Sequence, residues 1–327
     1  MPASIIRRFG LGNTALAVLA TVAASLLLFG PSFLNLYWVR ILSSAFMFAT
    51  LAQAINIIAG YTGYPAFGNV VFFGLGAYST AIVMVKYQGS FVTGVLVGVL
   101  VCVLFALVFG PPLLRLRGHY FAIATLGVNE ATRAVANNLT EFTGGGMGLS
   151  VPLPPGEAIA NAAFFYYLLY GTMALSIIIT YRFSISRLGL ECCAIRDDEP
   201  KAEAMGIHTT RDKIMAWIIS AALTGMVGGI FAYWFSYIEP PVVFDMAISV
   251  KLFVIFLLGG AGTLFGPIIA AFVLEFVSTL IWSELLAYHL GTMGAIIVLV
   301  VIFLPTGFAA FLRERASLAA LFHIGRK

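Results

Sequence analysis

Long apolar runs separated by short polar stretches are the dominant pattern along the chain. A helix needs about 20 consecutive apolar residues to cross the hydrocarbon core of a membrane. The pattern predicts ten such helices, of which the third, fifth, eighth and ninth are short, charged or interrupted by glycine. The predicted spans cover residues 14–33, 40–59, 67–85, 92–114, 119–136, 162–181, 214–237, 247–259, 266–282 and 290–304. We therefore predict an all-α fold, a polytopic membrane helix bundle of about ten spans that forms a single transmembrane domain over residues 1–327.

The composition agrees with this pattern. Of the 327 residues, 61% are hydrophobic and only 10% are charged, and the mean hydropathy is +1.01. A soluble domain has about 25% charged residues. So little charge cannot cover a surface in contact with water, which excludes an ordinary soluble protein.

The distribution of Lys and Arg predicts the orientation of the spans. With an even number of spans, all but four of the 18 basic residues fall on the side of the two chain termini. Short loops rich in Lys and Arg face the cytoplasm. We therefore predict cytoplasmic N and C termini, a cytoplasmic loop at about 182–213 and a periplasmic loop at about 137–161. The four exceptions are Arg40, Lys86, Arg133 and Lys251.

Two glycine-rich stretches, 60–68 and 259–267, interrupt the apolar runs in different halves of the chain, and each contains Gly-x-x-Gly followed by Phe-Gly. Interrupted helices in a transporter expose backbone groups that can face a solute. Small residues also let helices pack closely, and glycines form ordinary turns, so both interpretations stay open. The first one predicts a translocation path with the candidate residues Gly60, Gly63, Phe67, Asn69, Gly259 and Gly262.

Ionisable residues also lie inside the predicted spans. Glu130 and Arg133 are three residues apart in the fifth span, so they share a helix face and can pair. Charges at membrane depth are costly and usually face a cavity or a partner. Glu130 is therefore a further candidate for the path, unless the pair fixes one helix against another. For Glu275, in the ninth span, we favour a structural role.

The predicted cytoplasmic loop 182–213 carries six basic and six acidic residues. Within it, the run 197–200 (Asp-Asp-Glu-Pro) is typical of a helix start, and Gly206 is typical of a helix end. These signals predict a short surface helix at about 199–205, one face of which holds Ala202 and Met205. Such a segment is either a solvated loop or a docking element for another protein.

The chain offers no residues for ATP hydrolysis or for other catalysis. None of its five lysines follows a glycine, so the phosphate-binding loop Gly-x-x-x-x-Gly-Lys is absent. The three cysteines and four histidines show no metal-binding spacing. We therefore expect no enzyme activity, no cofactor, no metal and no nucleic acid partner.

Segments spread over about residues 50–310 resemble the permeases of branched-chain amino acid ABC importers, of the LivM type within the LivH/LivM permease family. The matching segments are 60–63, 72–78, 116–126, 143–148, 194–207, 259–262 and 305–307. The most specific of them are 116–126, with the run Leu-Arg-Gly-His-Tyr-Phe-Ala, and 194–207. Many relatives have Ser and His where this chain has Ala66 and Asn69, a departure that bears on the solute.

The resemblance implies a permease subunit that works in a larger complex. Its expected partners are a LivH-like permease subunit, two cytoplasmic ATPase subunits, a periplasmic solute-binding protein and the lipids of a bacterial inner membrane. The short helix would be the coupling element that enters a groove on an ATPase. The coupling residues are then Arg196, Asp197, Asp198, Glu199, Ala202, Glu203 and Gly206.

The leading hypothesis is import of branched-chain amino acids, or of a similar small polar solute, by alternating access. Urea and short amides are the alternative solutes within the family. The alternative mechanism is a secondary transporter driven by an ion gradient, with Glu130 or Glu275 as proton carrier. A membrane-embedded enzyme would need a reactive set of residues, which the sequence does not offer.

Overall fold

The computed structural model of the chain describes residues 30–284. The predicted span 290–304 and most of the span 14–33 lie outside these residues. Within the described range the fold is helical, apart from two strands of two residues each. The predicted helical character is therefore confirmed for this part of the chain.

The elements follow one another in a simple order. They are α1 (Gly30–Phe33), α2 (Leu36–Ile55), α3 (Val70–Lys86), α4 (Phe91–Leu113), α5 (His119–Asn138), α6 (Thr140–Thr143), β1 (Leu149–Ser150), α7 (Ala158–Ile185), α8 (Arg187–Asp197), α9 (Glu199–Ala204), α10 (Thr209–Phe235), β2 (Tyr237–Ile238), α11 (Pro240–Val243), α12 (Met246–Gly259) and α13 (Gly266–Glu284). A π-helical turn, Asn56–Gly60, extends α2, and 3-10 turns at Phe67–Asn69 and Gly145–Met147 precede α3 and β1. Strands β1 and β2 pair antiparallel.

Six helical segments of the described chain are long and apolar enough to cross a membrane. They correspond to the second, third, fourth, sixth, seventh and eighth predicted spans. Their bounds are Leu36–Gly60, Phe67–Lys86, Phe91–Leu113, Ala158–Ile185, Thr209–Phe235 and Pro240–Gly259. A shorter apolar helical stretch, Gly266–Thr279, lies in the ninth predicted span.

Helix α5 occupies the fifth predicted span but is not one of these six. Its polar residues, which include Asn129, Glu130 and Arg133, make it too hydrophilic for a span that faces lipid. A narrow stripe of α5 packs on the bundle through Phe121 and Asn129, whereas the rest of its circumference is exposed or half-buried. At 20 residues, α5 is about 30 Å long, which is enough to cross a bilayer core.

Helices α3, α4 and α10 approach one another closely through glycines. A Cβ atom added at Gly98 of α4 would lie 2.9 Å from the carbonyl oxygen of Gly76 in α3. One added at Gly225 of α10 would lie 2.5 Å from Sγ of Cys102 in α4. Small residues at such contacts are the usual means by which membrane helices pack.

The connecting segments gather at two ends of the bundle. Hydrogen bonds described below bring 61–66, 114–118, 186–208 and 260–265 together at one end, called here the basic end because many Lys and Arg residues lie there. At the opposite end, β1 and β2 pair and so join 139–157 to 236–245. The predicted loop 137–161 lies at that opposite end and contains α6 and β1.

The predicted loop 182–213 is mostly helical, because α7 continues to Ile185 and α8, which the sequence pattern did not predict, precedes α9. The predicted short helix is confirmed as α9, with the Asp198 carboxylate accepting a hydrogen bond from the backbone N–H of Lys201 at 3.1 Å. Gly206 has the left-handed φ of +87° that a helix end favours. The prediction that Ala202 and Met205 share one face of this helix is wrong. Ala202 is buried and Met205 exposed, because the helix ends before Met205.

A buried ion pair joins α12 and α13 to α2. Nζ of Lys251 lies 2.6 Å from Oε2 of Glu275, and Ser44 Oγ donates to Oε1 of the same carboxylate at 2.6 Å. The ammonium also lies 3.8 Å from the ring centroid of Phe48. Every partner sits on a different helix from Glu275, which is the arrangement expected for the structural role favoured from the sequence.

We expect Glu275→Gln to lower the free energy of unfolding by about 3–5 kcal/mol, because it leaves the Lys251 ammonium buried without a counter-charge. The control is Ser44→Ala, which removes only one hydrogen bond to the same carboxylate and should cost about 1 kcal/mol. Thermal or denaturant unfolding of the purified protein in detergent measures both losses. Equal losses in the two variants would contradict a structural ion pair.

Candidate functional site

At the basic end, a buried ion pair fastens the short helix α9 to the bundle. Lys213, near the start of α10, is 2% exposed, and its Nζ lies 2.7 Å from Oε1 of Glu199, the first residue of α9. The ammonium also donates to Tyr64 Oη at 2.9 Å and to the carbonyl oxygen of Leu114 at 3.0 Å. Tyr64 Oη in turn donates to Oε2 of Glu199 at 2.6 Å. One carboxylate and one ammonium therefore hold four segments of the chain together.

The electrostatics of this cluster keep Glu199 ionised. Burial raises the pKa of the Glu199 carboxyl, but hydrogen bonds from Lys213 and Tyr64 outweigh burial and hold that pKa below its ordinary value. Burial, followed by the hydrogen bond to Glu199, raises the pKa of Tyr64, so its hydroxyl stays a donor at neutral pH. Because the folded pKa of Glu199 is depressed, its stabilising effect is complete above the ordinary Glu pKa of about 4.3. That effect is lost as the pH falls through the folded value.

Arg196, at the end of α8, makes a second contact with the bundle, at the place where the two glycine-rich stretches meet. Its Nη1 donates to the carbonyl oxygen of Gly60 at 2.8 Å. A Cβ added at Gly60 would lie 2.7 Å from the backbone N of Gly262, and one at Gly262 would lie 2.9 Å from Arg196 Nη1. Gly63, with a φ of +75°, packs in the same way against the Arg196 side chain. The two stretches therefore contact each other and Arg196 with no room for larger residues.

Gln53 of α2 and Asn56 of its π-helical turn hold the stretch 260–265 through their side-chain amides. Oδ1 of Asn56 accepts from the backbone N–H of Gly262 at 2.8 Å, and its Nδ2 donates to the Thr263 carbonyl at 2.8 Å. The Gln53 amide donates to the carbonyl of Leu264. Both side chains are fully buried. A π-helical turn often marks a functional position, and here it presents Asn56 to the second glycine-rich stretch.

The structure brings together only some of the residues predicted for the translocation path. Gly60, Gly63 and Gly262 meet at the basic end, where close packing accounts for each glycine, and Gly259 lies against the backbone of residues 266–267 at the start of α13. Glu130 lies apart from them on α5. The role of these residues in transport stays a prediction.

Phe67, near the end of the first glycine-rich stretch, and Asn69, just after it, pack inside the bundle. The ring of Phe67 stacks on Phe253 of α12 at 3.9 Å between centroids. Nδ2 of Asn69 donates to Ser220 Oγ at 3.2 Å and to Thr224 Oγ1 at 3.1 Å, and both of these residues belong to α10. These contacts give the start of α3 polar and aromatic links to two other helices.

The residues predicted to couple the chain to an ATPase divide into two groups. One group faces the bundle: Arg196 and Glu199 form the attachments described above, and Ala202 is buried. Glu203 accepts a hydrogen bond from Thr209 Oγ1 at 2.8 Å, which ties the end of α9 to the start of α10. These side chains therefore fix the position of α9.

The second group faces solvent. Asp197 and Gly206 are exposed, and the Asp198 carboxylate pairs with Lys201 Nζ at 2.6 Å while the Lys201 side chain stays 81% exposed. Met205, which the coupling prediction did not include, is 83% exposed at the tip of the segment. The outward side of the segment therefore combines an apolar side chain with charged ones.

Sequence reasoning missed Tyr64, Lys213, Gln53 and Asn56. A signal was present for three of them, because Lys213 precedes a long apolar run, and Gln53 and Asn56 share one helix face within another such run. Tyr64 carries no comparable signal. Among residues 30–284, no group of three or more His, Cys, Asp or Glu side chains is placed to hold a metal ion.

Cavities lie at the opposite end. One of about 550 Å³ opens between the turn 87–90, Ser150, Pro152 and Tyr233. A smaller one, of about 150 Å³, is lined by Glu130, Arg133, Ala134, Asn137 and Pro241. Glu130 and Arg133 of α5 therefore form part of the wall of this smaller cavity.

The apolar helices that run between the two ends define a multi-pass membrane protein. The chain belongs to the family described as branched-chain amino acid transport system / permease component, whose family model matches residues 37–303. Its members are membrane permease subunits of ABC transporters rather than enzymes. The predicted resemblance is thereby confirmed.

Individual relatives agree with this assignment. The high-affinity branched-chain amino acid transport system permease proteins LivM of Salmonella typhimurium LT2 and of Escherichia coli K12 are each 30% identical, covering 86% of this chain and 72% of the relative. The permease protein LivH of Escherichia coli K12 is 31% identical over 136 residues, which is 41% of this chain and 42% of the relative. No solved structure matches the chain.

We expect Gly60→Ala to lower the free energy of unfolding by about 1–3 kcal/mol, the usual cost of overpacking. The added methyl group would overlap Asn56 and the backbone of Gly262, so the two glycine-rich stretches would have to separate. Gly171→Ala in α7 is the control, because nothing lies within 4 Å of its Cβ position. Melting temperatures of the two purified variants check this, and a change no larger at Gly60 than at Gly171 would argue against the close contact.

Proposed function

We propose that the chain is the permease subunit of an ATP-driven importer for branched-chain amino acids in a bacterial inner membrane. The observation that carries the proposal is the attachment of α9. Glu199 and Arg196 clamp this segment to the bundle while Lys201 and Met205 remain exposed beside it. A rigidly held surface of this kind can pass a force from another protein into the bundle. The solute is proposed from the family description.

The charge at the basic end supports a cytoplasmic position for α9. Short loops rich in Lys and Arg face the cytoplasm, and the basic residues of this end are Arg115, Arg117, Arg187, Arg196, Lys201, Arg211 and Lys213. The ATPase subunits of such an importer work in the cytoplasm, so α9 would face them. In the same orientation, the opposite end would face the periplasm and a solute-binding protein.

The proposed complex contains this chain, a LivH-like permease subunit, two ATPase subunits and a periplasmic solute-binding protein. Both LivM and LivH occur among the relatives, which supports a pair of related permease subunits. ATP hydrolysis would take place on the separate ATPase subunits.

Transport would proceed by alternating access with the basic end as the inner gate. The ATPases would pull on the exposed side of α9, and the Arg196 and Glu199 attachments would transmit the movement to 60–66 and 260–265. A partner shifts such an equilibrium only through a difference in its affinity for the two states. Gly60, Gly63, Gly259 and Gly262 would form the inner gate, followed along the path by Phe67 and Asn69, with Glu130 nearer the outer mouth.

We expect the double variant Lys201→Glu/Met205→Glu to lose the ATPase subunits and therefore ATP-dependent leucine uptake. Both side chains are exposed and the Lys201–Asp198 pair is a surface contact that adds little to stability, so the melting temperature of the purified chain should change only slightly. Met147→Glu is the control, because Met147 is equally exposed but lies at the opposite end. Co-purification of the ATPases distinguishes the variants. Retention of the ATPases and of uptake in the double variant would remove α9 as the coupling element.

Arg196→Met should have a different effect from the exposed variants. It removes the hydrogen bond to Gly60 but leaves Lys201 and Met205 in place, so the ATPases should still bind. We expect at least a 10-fold fall in leucine molecules imported per ATP hydrolysed, while ATP hydrolysis itself continues. Proteoliposomes that contain the whole transporter and its binding protein measure both rates. An unchanged ratio would show that this attachment transmits nothing.

A secondary transporter driven by an ion gradient is the rival mechanism. It predicts uptake by this chain alone in liposomes, dependent on a pH gradient and independent of ATP. Of its two candidate proton carriers, Glu275 accepts hydrogen bonds from both Lys251 and Ser44. Both partners lie on other helices, so these contacts account for the Glu275 carboxylate as part of the helix packing. ATP-independent uptake by the isolated chain would overturn the importer proposal.

A further inference from the structure

Glu130 and Arg133 occupy a position that is unusual for charged residues. Glu130 lies about 16 Å along α5 from His119 and about 12 Å from Asn138, and therefore near the middle of the helix. A pair of opposite charges on a helix that packs on a membrane bundle normally faces a partner or a water-filled cavity. Both side chains nevertheless remain accessible, with 49% of Glu130 and 39% of Arg133 exposed.

A purely structural role explains the pair poorly. Both residues belong to α5, so their contact joins this helix only to itself and fixes no two helices together. The contact is a single one, Nη1 to Oε2 at 3.4 Å, and the described chain supplies no other hydrogen bond to either side chain. An exposed pair of this type adds little to stability. The Lys213–Glu199 and Lys251–Glu275 pairs, by contrast, each connect different elements and are largely buried.

Glu130 and Arg133 line the cavity of about 150 Å³, and each side chain has hydrogen-bonding groups that their mutual contact does not use. Oε1 of Glu130 is free to accept from an ammonium group, and the remaining guanidinium N–H groups of Arg133 can bind a carboxylate, for which Arg is well suited. Adjacent charges of opposite sign are complementary to a molecule that carries the reverse pair on neighbouring atoms. An α-amino acid is such a molecule, whereas urea and short amides are not.

The surroundings of the pair fit this chemistry. Asn129, the neighbour of Glu130, points into the bundle and donates to the carbonyl of Phe244 at 3.1 Å, which anchors this part of α5 beside α11. Pro241 of α11 and Ala134 of α5 give the cavity apolar wall area, and Asn137 adds a polar group. The cavity therefore offers two charges, one amide and an apolar surface within a small volume.

We propose that Glu130 and Arg133 bind the ammonium and carboxylate groups of a zwitterionic α-amino acid in the outer part of the transport path. This inference rests on the proposed function and makes it more specific, because it separates amino acids from the neutral amides that the sequence left as alternatives. The pair would hold the polar end common to all α-amino acids, and the side chain of the solute would lie toward Pro241.

The direct test is ligand binding to the purified permease and ATPase subunits in lipid nanodiscs, without the solute-binding protein and its own leucine site, observed by saturation-transfer NMR of the ligand. The probes are L-leucine, 4-methylpentanoate (carboxylate only), isoamylamine (ammonium only) and acetamide (neutral). We expect leucine to bind the unmodified protein and its signal to fall at least 10-fold in Glu130→Gln/Arg133→Gln. In Arg133→Gln isoamylamine should bind better than 4-methylpentanoate, and in Glu130→Gln the order should reverse.

A charge exchange, Glu130→Arg/Arg133→Glu, separates binding from a structural role. It keeps both charges and their contact, so a structural pair would survive it, whereas a binding site with a fixed orientation would lose leucine. Glu141→Gln, an exposed carboxylate outside the cavity, is the control and should bind leucine normally. Equal leucine binding in the neutral or exchanged variant, or acetamide binding equal to that of leucine, would overturn the proposal.

Uptake measurements in proteoliposomes distinguish a failure of this inference from a failure of the proposed function. If the unmodified complex imports leucine with ATP and the neutral pair variant imports it at the same rate, only the binding site is refuted. If the unmodified complex imports no branched-chain amino acid with ATP, the proposed function is refuted. A fall in uptake of at least 10-fold in the neutral variant, with an unchanged melting temperature, supports the site.

Discussion

A lysine ammonium that is almost fully buried needs a counter-charge, and at the basic end Glu199 supplies it. Removing either partner of such a pair is strongly destabilising, since it leaves a charge buried without compensation. Lys213 therefore keeps α9 against α10, and its hydrogen bonds to Tyr64 and Leu114 fix two further connections at the same place. The contact thereby fixes α9 with Lys201 and Met205 on its exposed side.

The glycine-rich stretches depend on the same arrangement. Once α8 and α9 are fixed, Arg196 reaches the carbonyl of Gly60, and the absence of side chains at Gly60 and Gly262 lets the two stretches touch. Asn56 then satisfies backbone groups of the second stretch that lipid could not satisfy. Ionic, hydrogen-bonded and steric contacts therefore connect α8 and α9 to both glycine-rich stretches.

Much of this fold could be predicted from the sequence, because its determinants are local. The apolar runs predicted the six apolar helical segments of the described chain, and the cap residues Asp198 and Gly206 predicted α9. The inward side of α9 could not be predicted, since a charged loop residue such as Glu199 is usually solvated and its partner Lys213 lies 14 positions away. The contact between Gly60 and Gly262 spans most of the chain, so no local pattern encodes it. Likewise, α5 is as long as a membrane span but lacks the apolar composition of one.

Ion pairs in the protein differ in what they connect. This difference distinguishes the pairs that hold separate elements together from the pair that we propose binds a solute. Lys213–Glu199 and Lys251–Glu275 join separate elements and leave few groups of either partner unused. Glu130–Arg133 joins a helix to itself, with much of its hydrogen-bonding capacity unused beside a cavity. Exposed pairs add little to stability, so the fold does not account for Glu130–Arg133 as it does for the two buried pairs, and a solute with the complementary charges would use the groups that this pair leaves free.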